Sequence, residues 1–234
     1  MLTLGIDTLG RQCAVALWRG DTAKGELIAK IAEPMQRGHA EALLPMVRAV
    51  MGDAGEEFSA IDRVAASRGP GSFTGLRIGL AAARGLALAL DRPALGVSRL
   101  EAMAAGYFAR HPQNTSSLVV AIDARRGQLY VQVFSPRLDP WNSRTLAQVI
   151  DIDNVASMLP RGPITVLGSG AELLLRSGES DAHMADIALA AGDTVDWVAS
   201  IGSARDPAAH AAAPLYLRAP DAKRPASRGL RLDG

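Results

Sequence analysis

Two aspartates stand where carboxylates can do phosphate chemistry. Asp7 closes a strand-like run in GIDTLG, and Asp123 does the same in AIDARRG. A carboxylate at a hairpin tip could hold a metal-bound phosphate, so Asp7, Thr8 and Asp123 are the candidate cofactor-binding residues. Aspartate in a turn also serves its own backbone, by accepting from an N–H two residues on. The usual company of a phosphate site is missing. Leu9 follows Asp7-Thr8 where a small polar residue or glycine would be wanted, and Ala124-Arg125-Arg126 follow Asp123.

Other chemistry is poorly supplied. A helical metal pair at i, i+4 from His39 would need its second ligand at Leu43, and Glu41 points to another face. His111, His183 and His210 fall in loop-like segments without ligand spacing, so no metal is expected. Cys13 lies in a strand and nothing resembles G-x-S-x-G, so no catalytic residue is assigned. One cysteine in 234 residues also excludes an internal disulfide and suits a reducing compartment.

The most distinctive stretch is SRGPGSFTGLRIG, residues 67–79. Gly69, Pro70, Gly71 and Gly75 dictate a tight shaped turn, with Phe73 inside it. Ser72 or Thr74 can cap the helix that follows. The phosphate-cradling G-x-x-x-x-G-K-[ST] is absent, and G-x-G-x-x-G fails because Thr74 stands where its third glycine belongs. A loop that shapes the fold or a partner surface is therefore expected, rather than one that grips a nucleotide.

Those residues need elements to position them. Strands are expected at 2–6, 13–18, 27–32 (ending before Pro34), 63–67, 94–97, 118–122, 128–134, 164–167 and 215–218. Helices are expected at 39–51, 76–90, 100–109, 171–175, 185–191 and 195–201. Pro45 falls in the first of these, so that helix starts close to it or is kinked. Ser98 is a natural cap for the helix at 100–109, with Glu101 in its first turn. Residues 135–144 and 177–183 read as polar loop. Residues 2–18 align without a gap on 118–134, with Leu2/Leu118, Ile6/Ile122, Asp7/Asp123, Gln12/Gln128 and Val15/Val131 identical. That suggests an internal duplication. The polar breaker HPQNTSS divides a lobe at 1–110 from one at 111–234, whose basic tail at 219–234 could attract RNA phosphates.

The balance of 48% hydrophobic and 21% charged residues, with a net charge of +1, is that of a globular chain. It gives no global reason to suspect nucleic acid or membrane. The chain opens directly on a strand pattern and has no uninterrupted apolar run of membrane-spanning length, so a cytoplasmic location is expected. The two helices flanking residues 63–67 carry an apolar surplus. Either it marks a protein interface, or those helices lie in a deeper core.

RGPGSFTGLRIG (68–79) resembles the hallmark of the TsaB (YeaZ) family, bacterial proteins needed to make threonylcarbamoyladenosine beside the tRNA anticodon. IDT (6–8), His39 with LPMV (44–47), AIDAR-x-G-x-x-Y (121–130) and YLR (216–218) support the likeness. The resemblance implies an α/β chain with the two-lobed fold of actin, Hsp70 and sugar kinases (ASKHA), duplicated βββαβα lobes and degenerate nucleotide and metal sites. It implies no cofactor and a non-catalytic role. The partner would be a TsaD-like paralogue that transfers the threonylcarbamoyl group, joined by a TsaE-like ATPase, with a homodimer when alone. The contact surface is expected on His39, Leu43, Met46, Val47, Val50, Leu76, Arg77, Leu80 and Ala83. Contact with tRNA would be indirect or through the tail. The rival is an ATPase or small-molecule kinase acting alone through Asp7 and Asp123. Nothing in the sequence supports the peptidase chemistry once attached to the family.

Overall fold

The computed structural model describes residues 1–20, 25–135, 145–176, 182–184 and 193–218. The expected helix at 185–191 and the basic tail at 219–234 lie outside the described residues, as does nearly all of the 135–144 loop. The first half contains β1 (Leu2–Asp7), β2 (Gln12–Arg19), β3 (Glu26–Pro34), α1 (His39–Asp53), β4 (Arg63–Ser67), α2 (Phe73–Leu90), β5 (Ala94–Val97) and α3 (Arg99–Arg110). The second contains β6 (Ser117–Arg125), β7 (Gln128–Phe134), β8 (Gln148–Asp151), β9 (Ile164–Leu167), α4 (Ala171–Arg176), β10 (Ala182–Met184) and α5 (Asp193–Ala204).

The duplication expected from the sequence is present as topology. One sheet runs β3-β2-β1-β4-β5 and the other β8-β7-β6-β9-β10. In each, an antiparallel three-strand meander is extended by two parallel strands. The gapless alignment hides one difference. Ile6 pairs with Val15, whereas their counterparts Ile122 and Val131 pair with Tyr130 and Ala121, one residue out of step. The cause is the turn. The second hairpin slips register between Asp123 and Arg125, then closes on Arg126-Gly127 with both φ positive (57° and 71°), whereas the first spans residues 8–13.

Strand alternation decides which helix each face receives. In β1 and β2, Leu2, Leu4, Ile6, Cys13, Val15 and Leu17 face α1 and α2, while Ala14 and Ala16 meet Val195 of α5. The α5 side is built from small residues because the helix lies very close. A Cβ on Gly5 would stand 2.7 Å from the Ala199 Cβ, and one on Gly202 2.4 Å from that of Ala65. The chain therefore does not divide at a single point. It crosses to the second sheet after α3, and α5 then returns to cover β1, β2 and β4. The described residues after 111 are shared between the two sheets. α3 serves both, packing Ala102 and Ala105 with α5 and Leu100, Met103, Ala104 and Tyr107 against β6, β7 and β9.

Beyond α5 the chain caps the open edge of β5. Gly96 donates to the His210 carbonyl (2.9 Å) and Ala212 to that of Ala94 (3.2 Å). Residues 215–218 do not form the expected strand. Leu215 instead donates to Arg68 O at 2.7 Å, beside the glycine loop. Other departures are local. β3 reaches Pro34, which an edge strand tolerates because one side of it needs no N–H. α1 runs from His39 straight through Pro45, and α2 begins at Phe73 rather than at 76. β8 and β10 arise where the sequence shows no strand alternation.

Candidate functional site

The first hairpin tip and the glycine loop are built against each other. Ser72 caps α2, accepting from the Gly75 N–H at 3.2 Å, and its own N–H donates to Leu9 O at 3.3 Å. The Thr8 hydroxyl donates to Gly75 O at 2.7 Å. A Cβ on Gly75 would lie 2.0 Å from Thr8 O, and one on Gly71 2.9 Å from the Leu9 Cβ. The glycines thus admit the hairpin tip itself. Asp7, fully buried, accepts from Leu9 N–H (3.0 Å) and from the Thr194 hydroxyl (2.5 Å). Thr194 stands at the start of α5, so the candidate carboxylate ties β1 to a helix from the far end of the chain.

Asp123 occupies the matching place in the second sheet, at its surface. It accepts from Arg125 N–H at 2.7 Å and pairs with the Arg125 guanidinium at 3.2 Å. Gly168-Ser169-Gly170, after β9, repeats the glycine loop after β4. Gly170 N–H donates to Ala121 O, and the Asp123 N–H donates to the Ser169 hydroxyl. Both aspartates therefore serve the local backbone, and no group of three metal-ligating side chains occurs among the described residues.

Cys13 is buried. Burial first, then the charges of Asp7 and Glu33, push its thiol from 9.0 up to about 11. The neutral thiol is no nucleophile near neutral pH. In the unfolded chain it ionises at its ordinary value, so this group's share of stability is intact below about pH 9 and is lost as pH climbs towards 11. Native protein at about pH 8 is expected to resist iodoacetamide, with Cys13 alkylated only once denaturant is added.

The helix faces require a correction. His39, Leu43, Met46, Val47, Val50, Leu76, Leu80 and Ala83 were expected on a contact surface, yet all are buried, and seven of these eight belong to this chain's own core cluster on the first sheet. Among the expected contact residues, Arg77 alone is exposed. Periodicity finds the more apolar stripe of a helix, and that stripe turns inward. The outward side of α1 carries Leu44, Pro45, Arg48 and Ala49. On α2 it carries Phe73, Arg77, Ala81, Arg84 and Leu88, the last 85% exposed. The Arg77 guanidinium lies 3.8 Å over the Phe73 ring, which neighbours Tyr216. Among the described residues α2 is long and apolar enough to cross a membrane, but its inner stripe is packed on the sheet.

The family model described as "TsaD: tRNA N6-adenosine threonylcarbamoyltransferase" matches residues 27–201. The tRNA threonylcarbamoyladenosine biosynthesis protein TsaB of Escherichia coli (strain K12) is 40% identical over 130 residues, 56% of this chain and 53% of that one. At 39–40% identity the chain spans about half the length of the curated relatives it matches. The solved structure of YeaZ from Pseudomonas aeruginosa superposes with a TM-score of 0.75 at 30% identity, over 92% of this chain and 99% of that one. A PilM–PilN type IV pilus biogenesis complex chain, 8% identical with a TM-score of 0.52 over 87% of this chain and 99% of its own, shares the fold alone.

Proposed function

The chain belongs to the TsaB (YeaZ) family, and from that premise we propose that it is a non-catalytic subunit of the cytoplasmic machinery that makes threonylcarbamoyladenosine in tRNA. In this reading it binds a TsaD-like catalytic paralogue through the outward faces of α1 and α2, with a TsaE-like ATPase joining the pair and a homodimer forming when the chain is alone. The observation that carries the reading is the closed hairpin tip. Gly75 lies against Thr8, and the Asp7 carboxylate is engaged by Leu9 and Thr194. A hairpin so engaged offers no free carboxylate for metal or nucleotide chemistry. The apolar outer side of α2, with Phe73 and Leu88 more than half exposed, supplies surface for a partner.

Mixing the purified chain with its TsaD-like paralogue tests the assignment. Ala81→Glu and Leu88→Glu alter exposed positions, so thermal stability is expected to hold while partner affinity falls about tenfold or more. Complex formation untouched by both substitutions overturns the surface. Turnover of ATP by the chain alone, abolished by Asp123→Ala, overturns the non-catalytic reading.

A further inference from the structure

The parallel strands β1, β4 and β5 end on one edge, and two arginines sit there whose side chains have no hydrogen-bond or ion-pair partner among the described residues. Arg68 follows β4 and Arg99 opens α3. Both are partly buried, and the Nε of each is wholly buried with no acceptor. Three other arginines do find acceptors. Arg63 donates to the carbonyls of Gly202 and Arg205, Arg84 to that of Ala212, and Arg205 pairs with Glu101.

The Arg99 side chain reaches the first hairpin. Its Nη2 lies 2.8 Å from where a Cβ on Gly10 would stand, while its backbone N–H donates to Gly69 O at 2.8 Å. Arg99 therefore joins the two features, its backbone held by the glycine loop and its guanidinium set against the hairpin tip. Acidic groups nearby are engaged elsewhere, Asp7 by Leu9 and Thr194 and Glu101 by Arg205 and the Ser98 N–H. No acid occurs between Arg63 and Leu90.

A partly buried guanidinium without an acceptor carries a desolvation cost that an anion removes. Its fork matches phosphoryl oxygens, and the carboxyl ends of parallel strands are where open α/β sheets hold ligands. We propose that this edge binds a phosphate group, with Arg99 as principal ligand and Arg68 adding positive field. The ligand is a phosphoryl oxyanion, and it needs no metal and neither hairpin aspartate. It is independent of the partner surface on α1 and α2.

Titration of the full chain with inorganic pyrophosphate, free of divalent metal, tests this. Saturable binding is expected below about 10 mM. Arg99→Gln is expected to weaken it about tenfold or more, and Arg48→Gln, an exposed arginine on α1, to leave it unchanged. Parallel titrations with ADP and a 5′-phosphorylated RNA trinucleotide distinguish a nucleotide from an RNA source. Should Arg99→Gln not fold, the amide of Gly10 and the Nε–H of Arg99 in the unaltered protein must shift with pyrophosphate in NMR spectra. No saturable binding, equal binding by folded Arg99→Gln, or shifts confined to other residues overturns the proposal.

Discussion

Gly75→Ala is expected to cost about 3 kcal/mol or more, enough to unfold a marginal domain. The added Cβ would stand 2.0 Å from the Thr8 carbonyl oxygen, so backbone meets backbone and no side chain can swing aside. The two segments cannot part without breaking the Thr8–Gly75 hydrogen bond and disturbing the Ser72–Leu9 contact. Gly85, on the outer side of the same helix, has nothing within 4 Å of its Cβ position. Gly85→Ala is therefore expected to stabilise by about 0.5–1 kcal/mol through backbone entropy alone. Urea unfolding midpoints of the two variants should move in opposite directions. Equal midpoints would show that the loop glycines are not held by the hairpin.

Asp7→Ala is expected to cost about 2–4 kcal/mol, and Asp123→Ala about 1 kcal/mol or less. The two residues match in the duplication but not in surroundings. Asp7 is buried and its loss strands the Leu9 amide and the Thr194 hydroxyl, whereas Asp123 has surface partners that water can replace. Because Thr194 belongs to α5, hydrogen exchange in residues 193–204 should quicken in Asp7→Ala. It should stay unchanged in Asp123→Ala. The opposite order would mean that the second hairpin, not the first, is the structural anchor.

Much of this was legible in the residues. β4, β5, β7 and β9 have the expected limits, because Gly, Pro or a capping Ser punctuates short runs of apolar residues. The duplicated hairpin was visible as repeated sequence, and Ser98 and Glu101 announced the start of α3. What escaped was nonlocal. Periodicity picked out the Leu76–Leu80–Ala83 stripe of α2, but not that this chain's own sheet covers it and leaves the Ala81–Leu88 side open. The partner of Asp7 lies 187 residues away, and no pattern around Thr194 announces it. Arg99 reads as an ordinary residue of a first helical turn. Only the fold brings its head to Gly10.

The late return of α5 bears on how the molecule is made. During synthesis β1, β2 and β4 leave the ribosome long before residues 193–204 exist, so one side of the earliest sheet stays uncovered until that helix has been made. A transcript cut short after the second hairpin would give a product open to chaperones and proteases, not a smaller working unit. Swapping second halves between homologues should fail for the same reason, unless the final helix travels with the first.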